Sequence, residues 1–567
     1  MNAGRADAGR LSWKAARPWL LVGLVAVLPF LNALPCGFAY DDGAIILGNP
    51  AVDAAAPWWR SLASPYWPAE QRAGLYRPLT LLTYRLQRGM TGDAPLPFHL
   101  ANVLFHAGAA LLSLALLRAL WPRRGGLACA GALLFAVHPL HTEAVTGVVG
   151  RAEILAALGG LGGYLVWLRA DARPRRALGC ALLFALAAAA KESAAAWLLV
   201  LAAHRAGLFG DGRGYRSLAA ARGGSRVALG AAWMVDGGVL AGFALYAAAR
   251  LAVLGTLFPP LAVGMADNPL FHADLPTRLF TAAKVLVLGA ALVVAPVRLS
   301  ADYSFDAIAL VRGPWPGLLW VAALLAPFAL AWIWRAGRGA VMPPLLLYAL
   351  LVLPVSNLVA PIGTIFGERL LYLPSLGLIA AAAAATATGL EQLRRPRLGI
   401  LLLAAALLLL AVRTWDRNAV WRDDAALFAA TVRAQPRSVK AQTNLGALLA
   451  RREDWEAAEA RYREALRILP GYPAAQNGLG HVLLMQGRLD EAEAAFEEAL
   501  ALHPRSVETL VRFGNLLLER RRPDEALARF DAALAAAPFA GAAWTGRASA
   551  LFLLERHGES ADAWERA

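Results

Sequence analysis

The sequence predicts an all-α protein: a polytopic transmembrane helical bundle followed by a short helical solenoid. Three observations predict it. The 567 residues are 58% apolar and only 17% charged, with a mean hydropathy of +0.49, whereas a soluble domain is nearer 45–50% apolar and about 25% charged. The apolar residues fall in a series of runs that ends near residue 413. Beyond Trp421 the chain turns rich in Ala, Glu, Arg and Leu and repeats itself at a step of 34 residues.

The first run, 18–35, follows a basic head containing Arg5, Arg10, Lys14 and Arg17. A cleaved signal peptide is the alternative, but no clean small-residue cleavage site follows and many similar runs come later. The run is read as a first membrane helix with its N-terminus inside. A polar loop, 36–97, comes next. Further candidate spans are about 98–120, 125–140, 152–169, 177–190, 193–207, 227–254, 278–297, 315–335, 341–360, 370–390 and 397–413. Several are shorter than the ~18 residues that a full span needs.

The net charge of +15 fits nucleic acid less well than membrane orientation. The arginines collect in short loops between apolar runs, where they hold those loops inside and meet anionic headgroups. The clusters are Arg123–Arg124, Arg173–Arg176, Arg205–Arg226, Arg335–Arg338 and Arg394–Arg397. Walks from the two ends meet out of phase between 227 and 314, which favours about eleven crossings. Loop 36–97 and everything after 413 then share the extracytoplasmic side. Three cysteines (Cys36, Cys129, Cys180) without a C-x-x-C pair make no disulfide framework and leave the redox compartment unread.

In the C-terminal part, Pro436, Pro470, Pro504 and Pro538 keep the 34-residue step, as do Gly446, Gly480 and Gly514. The same step links Phe428, Tyr462, Phe496 and Phe530, and Ala458, Ala492 and Ala526. Small residues let paired helices approach, the aromatic fills the gap, and proline ends each second helix. This is the tetratricopeptide pattern. The expected division is a membrane domain over 1–413, a linker and half repeat over 414–438, and repeats at 439–472, 473–506, 507–540 and, truncated, 541–567. Such an array binds peptide or protein on a concave face, so a protein partner or protein substrate is expected there.

Ionisable residues recur at the ends of the apolar runs, where they are functional candidates. Asp41-Asp42 follows the first run; a poised carboxylate there suits a general base, and a solvated loop or helix cap is the plainer reading. His138-Pro-Leu-His141-Thr-Glu143 has ligand-type residues at no standard zinc spacing, and Arg151 and Glu153 follow it. Lys191-Glu192 has the look of a functional or mutually paired site, and Asp302 of a loop carboxylate. Arg77, and Arg369 beside Glu368, suit a phosphate, with headgroup contact as the alternative. Cations and carboxylates at membrane-helix ends together fit a lipid-linked, phosphate-bearing substrate.

Asp41-Asp42, Tyr76-Arg77-Pro78-Leu79, Phe98-His99-Leu-Ala-Asn102 with His106, His138-Pro-Leu-His141-Thr-Glu143, Gly150-Arg151 with Glu153, Lys191-Glu192, Leu299-Ser300 with Asp302-Tyr303, and Glu368-Arg369 with Leu371-Tyr372-Leu373-Pro374-Ser375 occur in that order, with the repeats last. This series resembles the transmembrane and tetratricopeptide-repeat (TMTC-like) O-mannosyltransferase family over about 18–540; its bacterial members are tetratricopeptide-repeat membrane proteins. The resemblance implies a C-type glycosyltransferase (GT-C) fold and a polyprenyl-phosphate sugar donor, mannose-like, with Ser/Thr hydroxyls of protein as acceptor. It also implies Asp41 or Asp42 as the catalytic acid–base group in the first extracytoplasmic loop. His141, Glu143, Arg151, Glu153, Lys191, Glu192, Asp302, Glu368, Arg369 and Arg77 would be substrate-binding or supporting groups. An Asp pair permits Mg²⁺ or Mn²⁺, although inverting enzymes of this fold type need not use one. The Ala/Arg-rich composition suggests a bacterial inner membrane. A non-catalytic envelope scaffold and a lipid-linked saccharide transporter are the alternatives; the first needs fewer spans, and the second predicts inverted repeats that the apolar half does not display.

Overall fold

The computed structural model describes residues 13–68, 74–169, 174–209, 226–258 and 263–567. Arg5, Arg10, Arg173 and positions 210–225 of the Arg205–Arg226 loop lie outside the described residues. Every regular element among the described residues is helical. The chain divides into two units: Met1–Gly264, Asn268–Ala301 and Leu310–Leu427 form the first, and Met265–Asp267, Asp302–Ala309 and Phe428–Ala567 the second.

The first unit is integral to a membrane. Eight described helices are long and apolar enough to cross: Ala15–Ala33, Pro95–Leu120, Val148–Leu168, Trp233–Leu254, Leu275–Val294, Pro314–Ile333, Arg335–Val355 and Pro396–Val420. Gly125–Ala136 and Pro139–Val145 count as a ninth if their 46° bend lies within one span. Among the described residues, helix length and composition thus give eight or nine candidate spans beside the eleven or so expected. The runs at 177–190 and 193–207 form helices Pro174–Ala190 and Ala196–Arg205, of 17 and 10 residues. Helix Ser375–Gln392, at 370–390, is not among those eight either. At 1.5 Å per residue the 10-residue helix reaches only about 15 Å, short of a ~30 Å hydrocarbon layer.

Proline fixes where several of these helices begin. Pro78, Pro95, Pro314 and Pro396 stand in the first turn, where a missing N–H costs nothing. The residue before each is pushed out of the helical region; Arg77, at φ −135 and ψ 63, is one, and its side chain leaves the chain just ahead of the helix. Small residues set the packing. A Cβ on Gly159 of helix Arg151–Leu168 would come within 2.9 Å of Ala187, so this helix and Pro174–Ala190 touch backbone to backbone.

The second unit is the solenoid. Helix pairs Val439–Arg451/Trp455–Ile468, Pro473–Met485/Leu489–Leu502 and Val507–Glu519/Pro523–Ala536 reproduce the 34-residue step. A further pair, Gly541–Leu553/His557–Arg566, occupies the stretch expected to be truncated. The periodic positions do what the pattern requires. Tyr462, Phe496 and Phe530 are buried, and a Cβ on Gly446, Gly480 or Gly514 would stand 3.1, 2.8 or 2.6 Å from those rings in turn. Truncating Phe496, fully buried among Leu483, Leu510 and Phe513, removes the filler of one gap. Phe496→Ala is expected to destabilise the solenoid by about 3–5 kcal/mol, read as a lowered thermal midpoint in circular dichroism of the whole purified chain.

Residues 265–267 and 302–309 complete this unit. The Val439 N–H donates to the Phe305 carbonyl (2.8 Å), the Lys440 ammonium pairs with Asp267 (2.9 Å), and the Asp302 carboxylate accepts from the Ser438 and Ser304 hydroxyls. Asp302, expected among the substrate-binding groups, is thus engaged at the start of the first repeat.

Candidate active site

The site begins where the chain leaves its first apolar helix. Tyr40 takes a left-handed backbone (φ 59), and Asp42 opens a short π-helical turn, Gly43–Leu47. The two adjacent aspartates are thereby sent different ways. Asp42 is 1% exposed. Its Oδ1 accepts the Val149 N–H (2.8 Å), and its Oδ2 accepts the N–H groups of Ala39 (3.2 Å) and Val148 (3.3 Å). It ties the loop to the turn that precedes helix Arg151–Leu168. Asp41 instead presents a side chain 23% exposed, with Oδ2 4.0 Å from Nη1 of Arg369.

Burial raises the Asp42 carboxyl to about 7, against the lowering pull of its three N–H partners; the neighbouring Asp41 charge adds to the rise. The sign of its pH effect follows. An unfolded aspartate ionises near the ordinary 3.8 and the folded one near 7, so between them the folded protein holds the extra proton. Stability is expected to fall as pH rises from about 4 to about 7 and then to level. Thermal midpoints across that window would show the slope in the unsubstituted protein and lose it in Asp42→Asn.

Arg369 sits one residue into the turn Glu368–Leu371. Both its backbone N–H and its Nη1 donate to Glu143, at 2.8 Å each. Glu143 is 2% exposed and reaches the turn because the chain breaks at His138-Pro139 into the short helix Thr142–Val145. Burial alone would lower the Arg369 guanidinium, but Glu143 and Asp41 outweigh it and raise it. Its side chain remains 31% exposed. A fixed arginine with an accessible edge therefore faces an accessible carboxylate.

Two further ion pairs adjoin. Lys191 bonds Glu153, with the side chains only 5% and 9% exposed. Arg77 grips Glu192 with Nε (3.0 Å) and Nη2 (2.5 Å) and lies over the Tyr66 ring. Burial would raise Glu192, yet Arg77 beside it holds the carboxyl down at about 2. Breaking a buried pair strands a charge, so Glu153→Ala is expected to cost about 3–5 kcal/mol, whereas Glu153→Ala with Lys191→Met recovers most of it; thermal midpoints of the variants test this. Glu153 also borders a small pocket whose other walls include Ser193, Trp197, Leu351, Leu370 and Leu373.

Other expected site residues serve the interior. Arg151 is 1% exposed, with bonds to Asn102 (2.8 Å), Gln87 (2.7 Å) and the Phe98 carbonyl (3.1 Å). His141 meets the Ser375 hydroxyl (2.9 Å) within an aromatic group containing Phe135, His106 and Tyr372. Glu368 accepts the Ser300 N–H at 2.5 Å and lies 3.8 Å from Arg417. No group of three or more His, Cys, Asp or Glu side chains among the described residues is gathered for a metal ion. With Asp42 committed to backbone N–H groups, the aspartate pair does not fit Mg²⁺ or Mn²⁺.

Sequence reasoning missed the far side of this loop. Asn418 bonds the Thr146 hydroxyl, the Pro29 carbonyl and the Asn32 side chain, and Asp424 accepts the Tyr40 N–H. The polar run Thr414-Trp-Asp-Arg417-Asn418, at the end of an apolar helix, is the signal that could have pointed there.

The family model described as "Protein O-mannosyl-transferase TMTC, DUF1736" matches residues 259–330. Tetratricopeptide-repeat models match 421–473, 449–507 and 483–550. Among curated proteins, the chain is 28% identical over 471 residues to Protein O-mannosyl-transferase TMTC3 of Mus musculus, covering 77% of this chain and 50% of that protein. It is 36% identical over 305 residues to Protein O-mannosyl-transferase Tmtc2 of Drosophila melanogaster, covering 51% and 31%. To Protein O-mannosyl-transferase TMTC4 of Homo sapiens it is 27% identical over 488 residues, covering 78% and 65%. The chain spans about half the length of the first of these relatives.

Proposed function

We propose that this chain, a membrane relative of the TMTC protein O-mannosyl-transferases, transfers a mannose-like sugar from a polyprenyl-phosphate donor to Ser/Thr hydroxyls of protein on the extracytoplasmic side of a bacterial inner membrane. The observation that carries the reading is Asp41 facing Arg369, with Arg369 fixed from behind by buried Glu143. A carboxylate able to act as base and a cation suited to phosphate stand side by side, 4.0 Å apart.

In this reading Asp41 accepts the proton of the acceptor hydroxyl as its oxygen attacks the anomeric carbon. The bond from that carbon to the phosphate oxygen breaks, and the electron pair leaves with the polyprenyl phosphate, inverting the carbon. Arg369 stabilises the phosphate as it gains charge, while Glu143 holds the guanidinium in place and Asp42 holds the loop. The ion pairs Arg77–Glu192 and Lys191–Glu153 brace the neighbouring turn. No step runs through a metal ion. The solenoid presents the protein acceptor or a partner that delivers it.

The test is sugar transfer by purified protein in detergent, from radiolabelled polyprenyl-phosphate mannose to envelope protein. Label reaching protein supports the reading. No transfer from mannose, glucose or other prenyl-linked donors sinks it and favours a scaffold.

A further inference from the structure

Tyr40 is an improbable residue for the backbone it adopts. At φ 59 it lies in the left-handed region, where a Cβ crowds the following carbonyl and where Gly, Asn and Asp are the usual occupants. Something must hold it there. Its N–H donates to Oδ1 of Asp424 at 2.8 Å, across 384 positions of sequence. Three residues earlier the Gly37 N–H donates to the Arg422 carbonyl (2.9 Å). The Tyr40 ring packs with Ala39, Trp421 and Leu427.

The neighbouring carboxylate caps helix Asp424–Ala434: the Oδ1 of Asp423 accepts the Ala426 N–H at 2.8 Å. Asp424 reaches the loop that carries Asp41. The Tyr40 backbone sets the plane of the Tyr40–Asp41 peptide and thereby the direction in which the Asp41 side chain leaves the chain.

We propose that Asp424 is a positioning residue for Asp41, acting through the left-handed backbone of Tyr40; the proposal rests on the functional reading above. Without that acceptor Tyr40 relaxes to an ordinary conformation, and Asp41 turns away from Arg369. A displacement of about 1 Å is enough to cost on the order of 10²-fold in rate.

The test compares Asp424→Ala, Asp424→Asn and the double variant Asp424→Ala with Tyr40→Asn, all in the full chain. Hydrogen exchange of the peptide covering residues 37–42 and transfer from polyprenyl-phosphate mannose are both measured. Asp424→Ala should speed exchange in that peptide and lower kcat by about 10–100-fold with donor KM nearly unchanged. Asp424→Asn, which keeps the accepting Oδ1, should retain most of kcat. Asparagine at position 40 tolerates the left-handed backbone, so the double variant should recover part of it. Unchanged exchange and kcat in Asp424→Ala overturn the proposal. So does a loss that neither asparagine restores, since that marks a merely structural role. If the unsubstituted protein transfers nothing from any prenyl-linked donor, the functional reading fails and takes the positioning of a base with it; the exchange data then decide whether the clamp itself exists.

Discussion

Asp41→Asn is expected to lower sugar transfer by about 10²–10⁴-fold, the usual contribution of a positioned general base, and to leave thermal stability unchanged. Asp42→Asn is expected to behave the other way. Its carboxylate oxygens accept three backbone N–H groups in a dry interior, and an amide nitrogen in place of one oxygen accepts none. A buried donor left unmade costs about 1–3 kcal/mol, so Asp42→Asn lowers the thermal midpoint at neutral pH. The assay is label transfer from polyprenyl-phosphate mannose, run beside a melting curve for each variant. An active Asp41→Asn beside an inactive, fully stable Asp42→Asn would exchange the two roles.

Arg369→Ala should be nearly as severe, at about 10²–10³-fold in kcat, the scale on which loss of one preorganised charge-stabilising donor acts. It also removes the guanidinium at 2.8 Å from Oε1 of Glu143, a carboxylate 2% exposed that keeps the residue-369 backbone N–H but loses its adjacent cation, so the variant loses stability as well. Arg369→Lys separates the two effects. The ammonium restores charge beside Glu143 but lacks the planar fork suited to phosphate, so stability should return further than rate. Full transfer by Arg369→Ala would remove this residue from the mechanism.

The aspartates also measure what a single sequence can say. Asp41 and Asp42 are adjacent and chemically identical, and nothing in their spacing distinguishes base from brace. The left-handed Tyr40 and the N–H groups of Val148 and Val149 make the distinction, and those amides lie 106 and 107 positions away in the chain. Lys191-Glu192 teaches the same lesson. As neighbours they suggested a mutual pair, yet Lys191 turns to Glu153 and Glu192 to Arg77. Arg151, with the look of a site residue, is spent on Asn102, Gln87 and the Phe98 carbonyl.

What the sequence determined by itself is whatever depends on local pattern. The apolar runs, the prolines that open helices and the 34-residue alternation of small and aromatic residues each act within a turn or a helix pair, and they specify an all-helical membrane unit with a tetratricopeptide solenoid. Residue type at helix ends likewise marked Asp41, Glu143 and Arg369 as chemistry-bearing. Only the tertiary structure showed how long the helix in each apolar run is, because a helix buried in protein and a helix facing lipid share one composition. Only it decided that Asp302 accepts from Ser438 at the first repeat, and that Asp41 meets Arg369 and Asp424 meets Tyr40. A charge selects its partner by distance and burial after the chain has packed, and neither quantity is written along the sequence.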